Sequence, residues 1–368
     1  MSARIVSAKR GPVAPRGGAL SRLDIHELAL PVAHACITEA GLETGQIDEL
    51  IVSNALGAGG NPARLVSLAA GLPERVAGLS IDRQCAGGLD AILLARALVE
   101  SGQADAVLAG GVESYSRRPL RFRTDPDGGA PNQYDQPPFT PFPDRDPEMA
   151  EAANALGLSL GISRERQDAW AVASHRAAHD ARRRLSAEIV PTASLDRDAF
   201  TRNLVLPHCR RAKTIIGTVT AANTAVAADG AAFCLVVSER KAKTLGCPGS
   251  RIVAGATLGG TPDLPGLAPV AAIGEALGNA GTGPADLTVA EIMEAYAVQA
   301  IACVEGAGLV PETINPGGGA LARGHPVGAS GAILAVRLWH ELRRVGGRGL
   351  AAIAAAGGIG SALVLSED

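Results

Sequence analysis

Short, nearly unbroken apolar runs alternate along most of this chain with amphipathic segments of ten or more residues, and that rhythm restricts the fold more than any other feature. The runs at 50–52, 76–81 and 106–109 mark the first third, and those at 231–237, 251–256, 287–292, 350–355 and 361–365 mark the last. Strands without a polar side are covered on both faces. Between them, residues 22–40 place Leu23, Ile25, Leu28, Val32 and Ala35 on one side of a helix, and 64–72, 89–98, 269–277, the segment after Tyr296 and 329–342 also read as helices. Strands alternating with helices of this length predict a layered α/β protein. The coarse order recurs in the two flanking portions, which predicts two related halves.

From about Arg117 to Thr220 the rhythm stops. Eight prolines between Pro119 and Pro147 interrupt any regular framework, and an amphipathic helix is expected over 163–185, starting at Ser163 and carrying Ala171, Ser174 and Ala178 on one side. The tract reads as an insertion. Positive charge gathers in it, at Arg117, Arg118, Arg121 and Arg123, at 182–184, and at Arg210, Arg211 and Lys213. Most such groups form a solvated face; the sharper reading is attraction of a phosphorylated ligand, which arginine geometry suits. Scarce aromatics, at 3%, and a net charge of -3 argue against nucleic acid and anionic lipid as partners.

At 368 residues the chain is long enough for two or three units. Cysteines at 36, 85, 209, 234, 247 and 303 form no CxxC pair or zinc-like cluster, so free thiols are expected and no metal site. The N-terminus mixes Arg4, Lys9, Arg10 and Arg16 with prolines and glycines and lacks a signal-peptide core. The apolar run 350–365 is divided by Gly357, Gly358 and Gly360, which fits two strands and a turn rather than a membrane span. A cytoplasmic location is the expectation.

Two segments carry chemistry. Cys85 stands where a strand gives way to a helix, with Gly87 and Gly88 permitting a tight bend. A thiol near the free amides of a helix start is expected to have a lowered pKa and a raised thiolate fraction, as a nucleophile for thioesters requires. The glycine-dense tract from Asn315 to Gly331 contains His325 and no nucleotide-phosphate pattern. Its imidazole could donate to a carbonyl oxygen or receive a proton. Each residue alone is also compatible with a structural role; together they predict a Cys/His acyl-transfer site.

On these motifs the chain resembles the thiolase family over almost its whole length. Arg83 through Ala91 match the nucleophile motif, Gly110, Gly111 and Glu113 the GGxE motif, Gly161 through Asp168 a loop-domain helix, Gly217 through Asn223 GTVTAxN, and Gly324 through Gly331 GHPxGxSG. The resemblance implies two βαβαβαββ halves in a five-layered α-β-α-β-α arrangement. It divides the chain into an N-terminal half at 1–117 and 221–248, an inserted coenzyme A-binding loop domain at 118–220, and a C-terminal half at 249–368. It further implies a homodimer or homotetramer, acyl-CoA and coenzyme A as the molecules bound, and no metal or redox cofactor. Cys85 would take the acyl group, His325 would help hold the thioester oxygen, and the amides of Cys85 and Ala356 would form a second oxyanion hole.

Departures from the family pattern fall in the same places. The second cysteine of the CxGGG segment, which shuttles the proton of the carbon–carbon step, is Ala354, and a methyl group transfers no proton. The NEAF motif reads Met293-Glu294-Ala295-Tyr296; its asparagine, which positions a water, is a methionine, while Glu294 is retained as a candidate for proton transfer. The serine that contacts pantetheine is Ala225, Met149 matches the methionine lining the acyl pocket, and the second asparagine of NxNGG is Gly317. The reading is an acyl-CoA C-acyltransferase acting through S-acyl-Cys85. A specialised condensing enzyme or thioester hydrolase and a non-catalytic acyl-CoA-binding protein are the alternatives.

Overall fold

The computed structural model describes residues 2–57 and 59–367. The first half contains β1 (Ala3–Arg10), β2 (Ala14–Pro15), α1 (Ile25–Glu39), β3 (Glu49–Ser53), α2 (Pro62–Ala69), β4 (Leu79–Ile81), α3 (Gly87–Glu100) and β5 (Ala106–Ser114). An insertion follows with β6 (Arg121–Arg123), β7 (Asn132–Tyr134), α4 (Met149–Leu160), α5 (Arg164–Asp180), α6 (Arg182–Leu185), α7 (Leu206–Arg210), β8 (Thr214–Ile216) and β9 (Val219–Thr220). β10 (Ala228–Ser238) returns to the first half, and α8 (Glu239–Leu245) leads out of it. The second half contains β11 (Ser250–Gly259), α9 (Ala268–Ala280), β12 (Leu287–Ile292), α10 (Ala297–Gly306), α11 (Ala320–Arg323), α12 (Val327–Val345), β13 (Gly347–Ala355) and β14 (Ile359–Glu367).

Side-chain alternation along the strands sorts the helices into layers. Leu50, Val52, Leu108, Phe233 and Leu235 turn to one face and pack with Leu28, Val32 and Val66 of α1 and α2. Their neighbours Ile51, Val107, Ala109 and Cys234 turn the other way, onto Leu89 and Ile92 of α3 and Ala332 and Leu338 of α12. The second half repeats this: Ala351, Ile353 and Leu363 join that same central core, while Leu350, Ala352 and Val364 face Ile273 of α9 and Cys303 of α10. The result is five layers, with α3 and α12 sandwiched between strands of both halves. The strands are not two separate sheets. Arg4 and Ile5 of β1 pair with Arg251 and Ser250 of β11, which joins them in the order β4-β3-β5-β10-β1-β11-β14-β13-β12.

Local breaks shorten two expected elements. The run 76–81 becomes a strand only from Leu79, because Gly78 takes φ +77°. The helix expected over 163–185 ends at Asp180, and α6 continues it after Ala181.

Buried charge fixes the insertion on the core. Glu188 accepts from Arg10 Nε at 2.6 Å and Arg337 Nη1 at 2.5 Å, and Asp198 accepts from Arg10 Nη1 at 2.7 Å. Burial alone would raise the Glu188 carboxyl, but the two guanidinium groups hold it down at about 2. Removing one partner would strand a charge in the interior, a loss of about 3–5 kcal/mol. The expected arginine cluster is therefore not one patch: Arg184 is paired with Glu341, Arg117 with Asp24 and Arg118 with Asp135. No helix among the described residues is long and apolar enough to cross a membrane.

Candidate active site

The turn from β4 into α3 is held by short-range hydrogen bonds. Asp82 Oδ1 accepts the Gln84 amide at 2.9 Å, Arg83 O accepts the Ala86 amide at 3.1 Å, and Gln84 has φ +51°, a left-handed conformation that a glutamine adopts only under constraint. Asp90, one turn into α3, accepts Arg83 Nη1 at 2.8 Å and the Thr257 and Ser361 hydroxyls at 2.7 Å each. These bonds tie the nucleophile's helix to both the turn and the second half of the molecule.

His325 arrives from the other half. Its amide donates to Val226 O at 2.8 Å, and α12 starts two residues later, with Glu113 Oε2 accepting the Gly328 amide at 2.9 Å. The first turns of α3 and α12 touch backbone to backbone. A Cβ on Gly88 would lie 2.6 Å from Ala332 N, and one on Gly331 would lie 2.5 Å from Leu89 N. This approach brings Cys85 Sγ to 3.1 Å from His325 Nε2. On the far side of the ring, Nδ1 lies 2.7 Å from Ser330 Oγ, whose own proton goes to Pro326 O at 3.1 Å. With that proton spent, Ser330 accepts from Nδ1, which leaves Nε2 as the acceptor for the Cys85 thiol.

The ionisation expected from the helix start is reversed. Burial pushes the Cys85 thiol up to about 12, its own amide pulling the other way and the Glu113 and Asp82 carboxylates adding to the rise. Burial pushes His325 down to about 4. The helix terminus offers a partial charge, and desolvation of the thiolate outweighs it. The resting pair is therefore a thiol facing a neutral imidazole, with the proton transferred as the sulfur attacks.

Cys85 and His325 lie in the wall of a cavity of about 650 Å³ roofed by the insertion. Met149, Ala225, Ala354 and Ala356 line it as well, and the Ala356 amide donates to no protein group among the described residues. Arg118 and Arg121 are the members of the basic set that reach it. Glu294 does not. Its carboxylate is buried away from the lining, with Oε1 accepting Trp170 Nε1 at 3.0 Å and Asn315 Nδ2 at 2.9 Å, and Oε2 accepting Ser174 Oγ at 2.7 Å and the Leu321 amide at 3.2 Å. With four donors on it, Glu294 is a clamp between α5 and the 315–321 loop, which corrects its expected part in proton transfer. Met293 is 1% exposed and packs in the central core. Beside Gly317 lies the Arg337 guanidinium, 2.1 Å from where a Cβ would be.

Three residues of the site carried no assigned role in the sequence. Ser330 sits inside the GHPxGxSG match, one helical turn after His325, and that spacing was the available signal. Glu113 sits inside GGxE. Tyr296, which lines the cavity, differs from the NEAF pattern by a single hydroxyl.

Comparison with known proteins agrees with this geometry. Residues 3–240 match the thiolase N-terminal domain and residues 246–367 the thiolase C-terminal domain. The Bacillus subtilis (strain 168) protein YhfS is 40% identical over 375 residues, with 99% of each chain covered. An acetyl-CoA acetyltransferase of Cupriavidus necator is 37% identical over 387 residues, covering 99% of this chain and 98% of its own. The crystal structure of the Bacillus anthracis acetyl-CoA acetyltransferase superposes with a TM-score of 0.93 at 32% identity, over 99% of this chain and 98% of that one. A nucleophile elbow and a histidine turn, brought together across two similar halves that each match their own model, place this chain in the thiolase family.

Proposed function

We propose that this protein is an acyl-CoA C-acyltransferase that carries the acyl group on Cys85. The observation that supports it above the others is the 3.1 Å contact between Cys85 Sγ and an imidazole nitrogen whose lone pair is aimed at it by Ser330. Thiolate formation is coupled to attack on the thioester carbon, and the oxyanion meets the amides of Cys85 and Ala356. Met149 and Ala225 lie where the acyl and pantetheine portions would run. Arg118 and Arg121 offer charge to phosphate groups of coenzyme A.

A homodimer across the free edge of β4 is part of the proposal. Leu79 on that edge and Leu94 on the adjoining helix are 43% and 41% exposed, and an uncovered apolar edge strand is a pairing surface. Light scattering measures the state directly, and a monomer at micromolar concentration would overturn it. Intact-mass analysis after mixing with acetyl-CoA tests the chemistry. An acyl adduct that disappears in Cys85→Ala is expected; no adduct in the unmodified protein under turnover conditions refutes the reading and leaves an acyl-CoA-binding protein. Release of free acid in place of coenzyme A-dependent thiolysis would identify a hydrolase.

A further inference from the structure

The family's proton-shuttling thiol is absent at Ala354, and Glu294 is sealed behind four donors, so the carbon–carbon step needs another group. Of the ionisable residues lining the cavity, Asp82, Asp135 and Glu148 are exposed. Tyr115 and Tyr134 lie under arginines, 4.6 Å from Arg118 and 5.6 Å from Arg123. Arg118 and Arg121 carry guanidinium groups, which are hydrogen-bond donors with no acceptor. Cys85 and His325 have parts already. Tyr296 remains.

The backbone places Tyr296 beside the reacting pair. Thr224 bridges to Tyr296 and, three residues on, Ala227 bridges to His325. Hydrogen bonds of 2.9 Å from the Ala297 amide to Asn223 O and from the Ala225 amide to Ala295 O, and of 2.8 Å from the His325 amide to Val226 O, fix both residues on one extended segment. Tyr296 also follows the end of β12, and Ala354 lies near the end of β13. These two strands are parallel, with Ile292 opposite Ala352 and the Met293 amide donating to Ala352 O at 2.9 Å. Both side chains therefore emerge at the carboxyl ends of neighbouring parallel strands and line one cavity, the usual place for reacting groups in such sheets. The Tyr296 hydroxyl has no hydrogen-bond partner in the protein among the described residues.

We propose that the Tyr296 hydroxyl is the proton donor and acceptor of the carbon–carbon step, in place of the thiol missing at Ala354. This rests on the thiolase reading above. In cleavage, His325 takes the proton of Cys85 as its sulfur bonds to C3 of a 3-ketoacyl-CoA. The C2–C3 bond then breaks, its electron pair passes to the enolate of the departing acyl-CoA, and the Tyr296 O–H gives C2 a proton. The phenolate takes the thiol proton of incoming coenzyme A as that sulfur bonds to the acyl carbon. The Cys85–acyl bond breaks, and the Cys85 sulfur recovers its proton from His325. Burial, with the Glu148 carboxylate adding to it, keeps Tyr296 up at about 12, so the resting residue is a neutral phenol ready to donate.

Tyr296→Phe tests this without disturbing the fold, since it keeps the aromatic ring and removes only the hydroxyl by which Tyr296 differs from the NEAF pattern. Three rates separate the roles: acylation of Cys85 by acetyl-CoA, deuterium uptake into the acetyl methyl in heavy water, and thiolysis of acetoacetyl-CoA. Tyr296→Phe is expected to leave acylation within about twofold and to lower exchange and thiolysis about 10²- to 10⁴-fold. Adding Ala354→Cys to it is expected to recover at least about tenfold of the loss. Unchanged exchange in Tyr296→Phe overturns the proposal, as does an equal fall in acylation and exchange, which marks a purely positional effect. Failure of the unmodified protein to acylate refutes the thiolase reading, a separate result from either.

Discussion

Ser330 fixes which nitrogen of His325 faces the nucleophile, so Ser330→Ala is the most direct test of the proposed base. Ser330 is 3% exposed, and water has little access to replace its hydroxyl. The substitution leaves the Nδ1 proton without the acceptor now 2.7 Å away, while Pro326 O keeps the Ala329 amide at 2.8 Å. The defect is thus confined to the ring. An unpaired buried polar group costs about 1–3 kcal/mol. If that sum falls on the tautomer and orientation needed to accept the Cys85 proton, acylation slows about 5- to 150-fold, since each 1.36 kcal/mol is about tenfold in rate. Rapid quenching with intact-mass detection of the acyl adduct reads this rate, and thermal unfolding checks the fold. Acylation within about twofold of the unmodified protein, with the fold intact, would show that the imidazole is oriented by something other than Ser330.

Ionisation of the pair has its own signature. With the thiol pushed up to about 12, the ultraviolet thiolate absorbance lost on Cys85→Ala is expected to be absent from pH 5 to 9; a band at pH 7 would refute the neutral pair. His325 has a folded pKa depressed to about 4, so its basic form is present above that value and is lost as pH falls through it. Acylation should then hold steady near neutrality and decline only toward pH 4. Glu294→Gln exchanges one acceptor oxygen for an amide that faces donors, and a destabilisation of about 2–3 kcal/mol in urea unfolding is expected, with Cys85 acylation retained in the folded fraction. Selective loss of chemistry with unchanged stability would contradict the clamp. Gly88→Ala forces a methyl carbon to within 2.6 Å of Ala332 N, so α3 and α12 must separate, and acylation should fall by at least about tenfold. An unaffected rate would show that the helix contact does not set the sulfur–nitrogen distance.

The layers and the two reactive side chains were legible because they depend on local signals. Unbroken apolar runs such as 231–237 specify strands covered on both faces, and glycines beside Cys85 and His325 specify turns where backbones meet. Ionisation was not legible. The helix start at Gly87 is written locally, whereas the desolvation that overrides it comes from packing between halves more than 200 residues apart, as in the Cys85–His325 contact. Glu294 misled for the same reason: its donors Trp170 and Ser174 lie 124 and 120 positions away, on a helix whose docking no local pattern specifies. Gly78 was visible in the sequence, but an apolar run outweighed it.

The connection from β5 to β10 and that from β13 to β14 occupy matching places in the two halves. One is the whole tract between Ser114 and Ala228, and the other is a tight reversal at Gly357 and Gly358, with φ of +76° and +78°. A scaffold with an approximate twofold repeat thus acquires a front and a back through unequal hairpins. The shorter one contributes Ala356 to the wall of the cavity that Cys85 also lines, and the longer one forms the roof. Lengthening or reshaping the long hairpin would change which acyl chains fit while leaving the helix pair that holds cysteine and histidine untouched. Selectivity and reactivity are consequently free to diverge along separate stretches of one polypeptide.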